Sequence, residues 1–194
     1  SENLAMTMKK YPVQTLERCN TFIKEFLSPH LHEKEGAVRV EACFFKEPAP
    51  FSEIKNAKFA EKQTPFNWGP HWTTGWFKLT FDWTKPSDED CDAALFVDMI
   101  GDGCLFSEEG AVLQSIDTNH KCFFLKGKQG KTVFYMDATA AHTFGISVSR
   151  LSPNLDDVSF QAQIKEAAIV KIDRIFWKFY NVFEALFLLV KNLP

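Results

Sequence analysis

Residues 76–83, WFKLTFDW, place Phe77, Leu79, Phe81 and Trp83 on one side of an extended chain and Lys78, Thr80 and Asp82 on the other. Side chains alternate across a strand, so this segment must bury one face and wet the other. The same period of two returns in AVRVEACFF, through Val38, Val40, Ala42 and Phe44 against Arg39 and Glu41. It returns again in VSFQAQIKEAAIV, where Phe160, Ala162 and Ile164 oppose Gln161, Gln163 and Lys165. AALFVDMI is more fully apolar, the pattern of a central strand covered on both faces. GCLFSEEGAVLQ reads as a hairpin turning at Glu108-Glu109-Gly110, and KCFFLK, KTVFYMDA and HTFGISVS add further strands around the tight turn KGKQGK. About eight short strands between turn signals, without a βαβ rhythm, predict an all-β sandwich or jelly roll.

Two segments break that period. From Thr15 onward Leu16, Cys19, Phe22, Ile23, Phe26 and Leu27 recur at helical steps, and Ser28-Pro29 is expected to end the run. Near the carboxyl end, Lys178, Asn181 and Glu184 are the strongly polar residues between Ile175 and Val190, and they share one helix side with Arg174 and Lys191. The remaining apolar arc exceeds half the circumference. It is too short and too regularly interrupted for a bilayer, which needs ~20 apolar residues. One sheet face cannot cover so wide an arc, so a second packing partner is expected, with Phe176, Phe179, Phe183, Phe187 and Leu188 as its interface. The chain stops soon after, at Pro194, which reads as a piece of a longer polypeptide. The expected organisation is a helical segment over 1–35, a β-sandwich over 36–170 and a C-terminal helix over 171–194 leading towards a catalytic domain. The intervening KEPAPFSEIKNAKFAEKQTPF reads as a Pro-rich connection.

Charge and cysteine usage narrow the function. Lys plus Arg is 22, Asp plus Glu is 25 and the formal net charge is -3, with no basic tract, which argues against nucleic acid and against electrostatic membrane docking. Cys19, Cys43, Cys91, Cys104 and Cys122 are dispersed, form no C-x-x-C pair and accompany no Asn-x-Ser/Thr acceptor, which fits a cytoplasmic, reducing setting. The 20 Phe point to thick packed layers, because phenylalanine carries no polar handle.

FNWGPHWTTGWFKLTF holds Trp68, Trp72 and Trp76 four residues apart. Two readings stay open: a platform on which sugar rings stack, or the closure of one end of the sandwich. In the second, Trp72 and Trp76 close the core and Trp68 is the ring to test for exposure. His30 and His32 form an H-x-H pair after a proline, but zinc needs three or four converging ligands and no second cluster is evident. Asp88, Glu89, Asp90 and Asp92, Glu108 and Glu109, and Asp156 and Asp157 sit where turn chemistry explains them. Asp98, Asp102 and Asp137 lie in or beside strands as polar contacts. No Ser-His-Asp, Cys-His or G-x-S-x-G arrangement is present, so no catalytic residue is expected.

The segment WGPHWTTGWFKLTF resembles the W-x-G-P-x-W-[ST]-T-x-W-F stretch of cytosolic and vacuolar α-mannosidases of glycoside hydrolase family 38, carried here by Trp68, Gly69, Pro70, Trp72, Thr74, Trp76 and Phe77. TLERCNTFIKEFL is similar to the helix near those proteins' N-termini, and AAIVKIDRIFWKFYNVFEALFLLVKNL to the segment leading into their catalytic domain. The resemblance implies a jelly-roll, galactose-binding-like domain preceding a metal-dependent barrel that hydrolyses terminal α-linked mannose with retention. That barrel opens with an H-x-H-x-D type stretch, which this chain lacks, so zinc or another divalent metal is implied for the full-length enzyme and none for this chain. The expected partners are the catalytic domain of the same polypeptide and further copies of the chain. A stand-alone carbohydrate-binding module and a scaffold or oligomerisation domain are the alternatives.

Overall fold

Strand β5 (Thr74–Trp83) organises the larger sheet of the computed structural model, which describes residues 12–45, 47–70, 72–141 and 161–192. It pairs antiparallel with β2 (Arg39–Phe45) on one side and β10 (Gly130–Thr139) on the other. The sheet continues to β3 (Ala60–Lys62) beyond β2, and to β7 (Asp102–Phe106) and β8 (Val112–Ile116) beyond β10. The second sheet runs β1 (Glu33–Ala37), β11 (Ala162–Asp173), β6 (Cys91–Ile100) and β9 (Cys122–Phe124), with β4 (Phe66–Gly69) also paired to β11.

The alternation in β5 is realised as expected. Phe77, Leu79, Phe81 and Trp83 are buried, whereas Lys78 and Thr80 are half-buried and Asp82 is exposed. They meet Val40, Ala42, Leu105, Ile116, Met136 and Ala138 of their own sheet and Leu95, Val97, Met99, Ile164 and Ile169 of the other in one core. Burying each such side chain stabilises by roughly 1.5–3 kcal/mol, which fixes the register of every strand contributing one. β6 is buried on both faces from Ala93 to Val97, as a central strand should be. The structure is thus mainly β, a jelly-roll sandwich with helices near the chain ends.

Some expectations need correction. β3 lies inside the expected connection, β4 starts at its last residue and runs into the tryptophan motif, and β1 lies where the expected helical segment ends; β1 and β3 are short, mostly polar strands that carry no alternating apolar signal. The Pro-rich connection also contains a single turn, α2 (Phe51–Ile54), that buries Ile54 completely. The first helix is not a uniform α-helix: α1 (Pro12–Thr21) runs into a π-helical stretch, Phe22–Leu27, which ends at Ser28 as expected and is followed by a 3-10 turn, Ser28–His30. Pro29 sits in the first turn of that 3-10 segment, where a missing N–H leaves no bond unmade. β11 continues to Asp173, so the C-terminal helix α3 (Arg174–Lys191) starts later than 171. The expected strand HTFGISVS and Phe160 lie outside the described residues.

The chain divides into two units. One is Lys34–Lys85 with Ala93–Val170 and holds the sandwich core. The other joins the N-terminal segment up to Glu33, Pro86–Asp92 and the segment from Lys171 onward. Within it, Arg174 donates from Nη1 to Asp92 at 3.1 Å, and its backbone N–H donates to the Asp90 carbonyl at 3.0 Å.

Candidate functional site

The three tryptophans of the quoted motif stand in three different environments. Trp68, on β4, points into the sandwich core at 5% exposure, 6.4 Å from the Phe44 ring and edge-on to Phe77 at 5.2 Å. Its indole Nε1–H is buried and makes no hydrogen bond among the described residues. Trp76, on β5, is adjacent to Phe77 and therefore faces out of the core, yet it is 2% exposed. The segment around α2 covers it: Nε1 donates to the Ala49 carbonyl at 2.8 Å, and Phe51 and Phe106 lie 5.8 and 5.1 Å from its ring.

Trp72 occupies the turn between them. Its N–H donates to the Ala140 carbonyl at 2.8 Å, and the Ala140 N–H returns to the Thr73 carbonyl at 2.8 Å. This exchange straps the turn to the end of β10 and holds Trp72 at φ 67, left-handed backbone that costs a bulky residue about 1–2 kcal/mol. The indole is 58% exposed.

The expectation is thus reversed for two rings: Trp68 is core and Trp72 is exposed, while Trp76 is buried as expected. Four-residue spacing gathers side chains on one face only in a helix, and here it spans strand, turn and strand. A three-ring stacking platform does not form. The rest of the motif shapes this corner. A side chain at Gly75 would come within 2.7 Å of the Phe44 ring, and Thr74 pairs with Thr139. His71 lies outside the described residues.

The described acids stand in separate settings, and Asp156 and Asp157 lie outside the described residues. Asp137 lies between Trp76 and Cys104 in the strand register, and burial raises its carboxyl above the usual aspartate range. Burial also raises Asp102, with repulsion from Asp117 adding to it. Asp98 is neutralised by Lys121 at 2.9 Å. His30 shares a 2.8 Å hydrogen bond with the Phe26 carbonyl, and His120 pairs with Asp117 at 2.9 Å. Among the described residues no group of three or more His, Cys, Asp or Glu side chains converges to hold a metal ion. The five cysteines are free, and burial pushes Cys122 up to about 11 and raises Cys91 and Cys104, which makes them poor nucleophiles.

The C-terminal helix carries the other candidate. Asp173 caps α3 by accepting from the N–H groups of Ile175 and Phe176 at 2.8 and 2.9 Å. Phe176, Tyr180, Phe183, Phe187 and Val190 form a half-buried stripe, and Phe183 meets Phe22 of the π-helical stretch at 5.6 Å. Ile175, Phe179, Val182, Leu186 and Leu189 form a second stripe, 49% to 65% exposed, and no residue of the helix is fully buried. Of the expected interface, Phe179 and Leu188 are exposed, while Phe176, Phe183 and Phe187 are half-buried. Ile175, Val182, Leu186 and Leu189, outside the expected set, are exposed as well. With Phe179 they recur at alternating steps of four and three residues, the spacing of a helix–helix seam, which the half-buried stripe shares. Among the described residues no helix is long and apolar enough to cross a membrane.

A family model described as the jelly roll domain of alpha-mannosidase matches residues 35–170, the greater part of the chain. No curated protein matches it.

Proposed function

This chain belongs to the alpha-mannosidase jelly roll domain family, and on that premise we propose that it works as a non-catalytic brace for a catalytic domain of the same polypeptide. The parent is an α-mannosidase-like glycosidase of family 38 that removes terminal α-linked mannose in the cytoplasm. A divalent metal, zinc by preference, belongs to its catalytic domain, since the donors described here do not converge on one. The observation that carries this reading is the outer stripe of α3: five apolar residues at helix–helix spacing on one helix, open to solvent in a chain whose sandwich core is fully packed. The same seam serves contacts between subunits. The reading is tested on the gene: an open frame running past Pro194 into an H-x-H-x-D coding stretch supports it, and an immediate stop codon rejects it.

A second reading rests on Trp72. An indole that is 58% exposed on a strapped, left-handed turn suits stacking on a sugar ring. Titration with methyl α-mannoside should then perturb tryptophan fluorescence in the native chain and not in Trp72→Phe. An unchanged spectrum in both removes the module reading.

A further inference from the structure

At the end of β5 opposite Trp72, the two sheets part and leave a cleft of about 440 Å³. That volume lies within the ~300–1,000 Å³ of small-molecule sites. Its walls are aromatic and aliphatic: Trp83, Leu113, Phe123, Phe124 and Phe134, with Leu125 behind them. Phe123 and Phe134 meet edge-on at 5.6 Å, so the floor is built by packing and not by loose rings. Lys126 and Lys128 stand at the rim, on a turn shaped by Gly127 and Gly130 at φ 91 and 106.

The polar groups of the cleft decide what it takes. Gln114 already donates from Nε2 to the Cys122 carbonyl at 2.9 Å, and the Thr132 hydroxyl already donates to the Gly130 carbonyl at 3.2 Å. Gln114 keeps its second amide N–H, and the two ammonium groups are the cationic donors that the cleft offers a ligand. Among the described residues neither lysine has an ion-pair partner. Lys128 also borders a second groove holding Glu108 and Glu109, so its charge is shared between the two. A neutral sugar could be received by the Gln114 amide oxygen and the Thr132 hydroxyl, but it would leave the two positive charges without a counter-charge. An apolar body bearing one anionic group finds both walls and counter-charge.

We propose that this cleft binds a small organic carboxylate with an aromatic or aliphatic body. The site is independent of the Trp72 turn and of the α3 stripe. Its probe is 4-phenylbutyrate, titrated calorimetrically into the 194-residue chain, with 4-phenylbutanol as the neutral match. One saturable site is expected, about tenfold weaker in Lys126→Gln/Lys128→Gln and weakened by added salt, with the alcohol binding far less. Thr132→Phe, which fills the cleft, should abolish binding, while Val182→Lys/Leu186→Lys on the helix stripe should leave it unchanged. Absence of saturable binding overturns the proposal. So does equal binding of the alcohol, an affinity unmoved in the double glutamine variant, or loss of binding in the helix variant.

Discussion

The ring of Phe22 sits edge-on against Phe183 with 5.6 Å between centroids, whereas Phe179, one turn earlier on the same helix, is 49% exposed. The two stripes of α3 therefore differ in what a substitution should do. Phe183→Ala removes an intramolecular contact and should cost about 2 kcal/mol, less than the ~3–5 kcal/mol of a fully buried phenylalanine. Leu186→Lys should change stability by no more than about 0.5 kcal/mol. Urea denaturation of both variants checks the contrast, and equal losses would mean that the outer stripe is packed within the chain.

The tryptophans give a second contrast. Trp68→Ala empties a core position and should cost roughly 3–5 kcal/mol. Trp72→Gly relieves left-handed backbone at an exposed site and should be neutral or stabilising by up to about 1 kcal/mol. Thermal unfolding that ranks the two in the opposite order would contradict the assignment of core and rim.

Asp137 makes stability depend on pH in a definite direction. Burial raises its folded-state pKa, so the folded chain binds this proton more tightly than the unfolded chain does. The resulting stabilisation is present in full below the ordinary aspartate value of 3.8 and is lost as pH rises through the folded pKa. Asp137→Asn should therefore raise the urea midpoint at neutral pH, and the gain should shrink as pH falls towards 3.8. A gain independent of pH would show that ionisation of Asp137 is not its source.

Gly110 turns the β7–β8 hairpin at φ 96, and a Cβ there would approach the Phe51 ring to 2.6 Å. Gly110→Ala combines backbone strain with that collision and should destabilise by about 2 kcal/mol. Because Phe51 covers Trp76, tryptophan emission should also shift to the red. Unchanged emission would mean that Phe51 and Gly110 move independently.

Where one face of a strand is buried, the sequence announces the strand. Phe77, Leu79, Phe81 and Trp83 alternate with polar residues, and Ala93–Val97 is apolar because both its faces are covered. The hairpin at Glu108-Glu109-Gly110 was legible from its turn residues for the same local reason. β1 and β3 were not, since an edge strand such as Glu33–Ala37 exposes most of its side chains and needs no apolar pattern. Trp68 and Trp72 were misassigned because their burial is decided by long-range contacts: Phe44 and Phe77 for one, the Ala140 strap for the other. The apolar arc of α3 was visible in sequence. Its division into an inner and an outer stripe required Phe22, a partner more than a hundred residues away.

Sedimentation velocity of the 194-residue chain over a concentration series tests the docking seam most directly, with Val182→Lys/Leu186→Lys alongside. Reversible association of the native chain, abolished in the variant without loss of thermal stability, is the expected result. A native chain that stays monomeric at every concentration, or a variant that unfolds, would contradict the assignment of Ile175, Phe179, Val182, Leu186 and Leu189 to an interface.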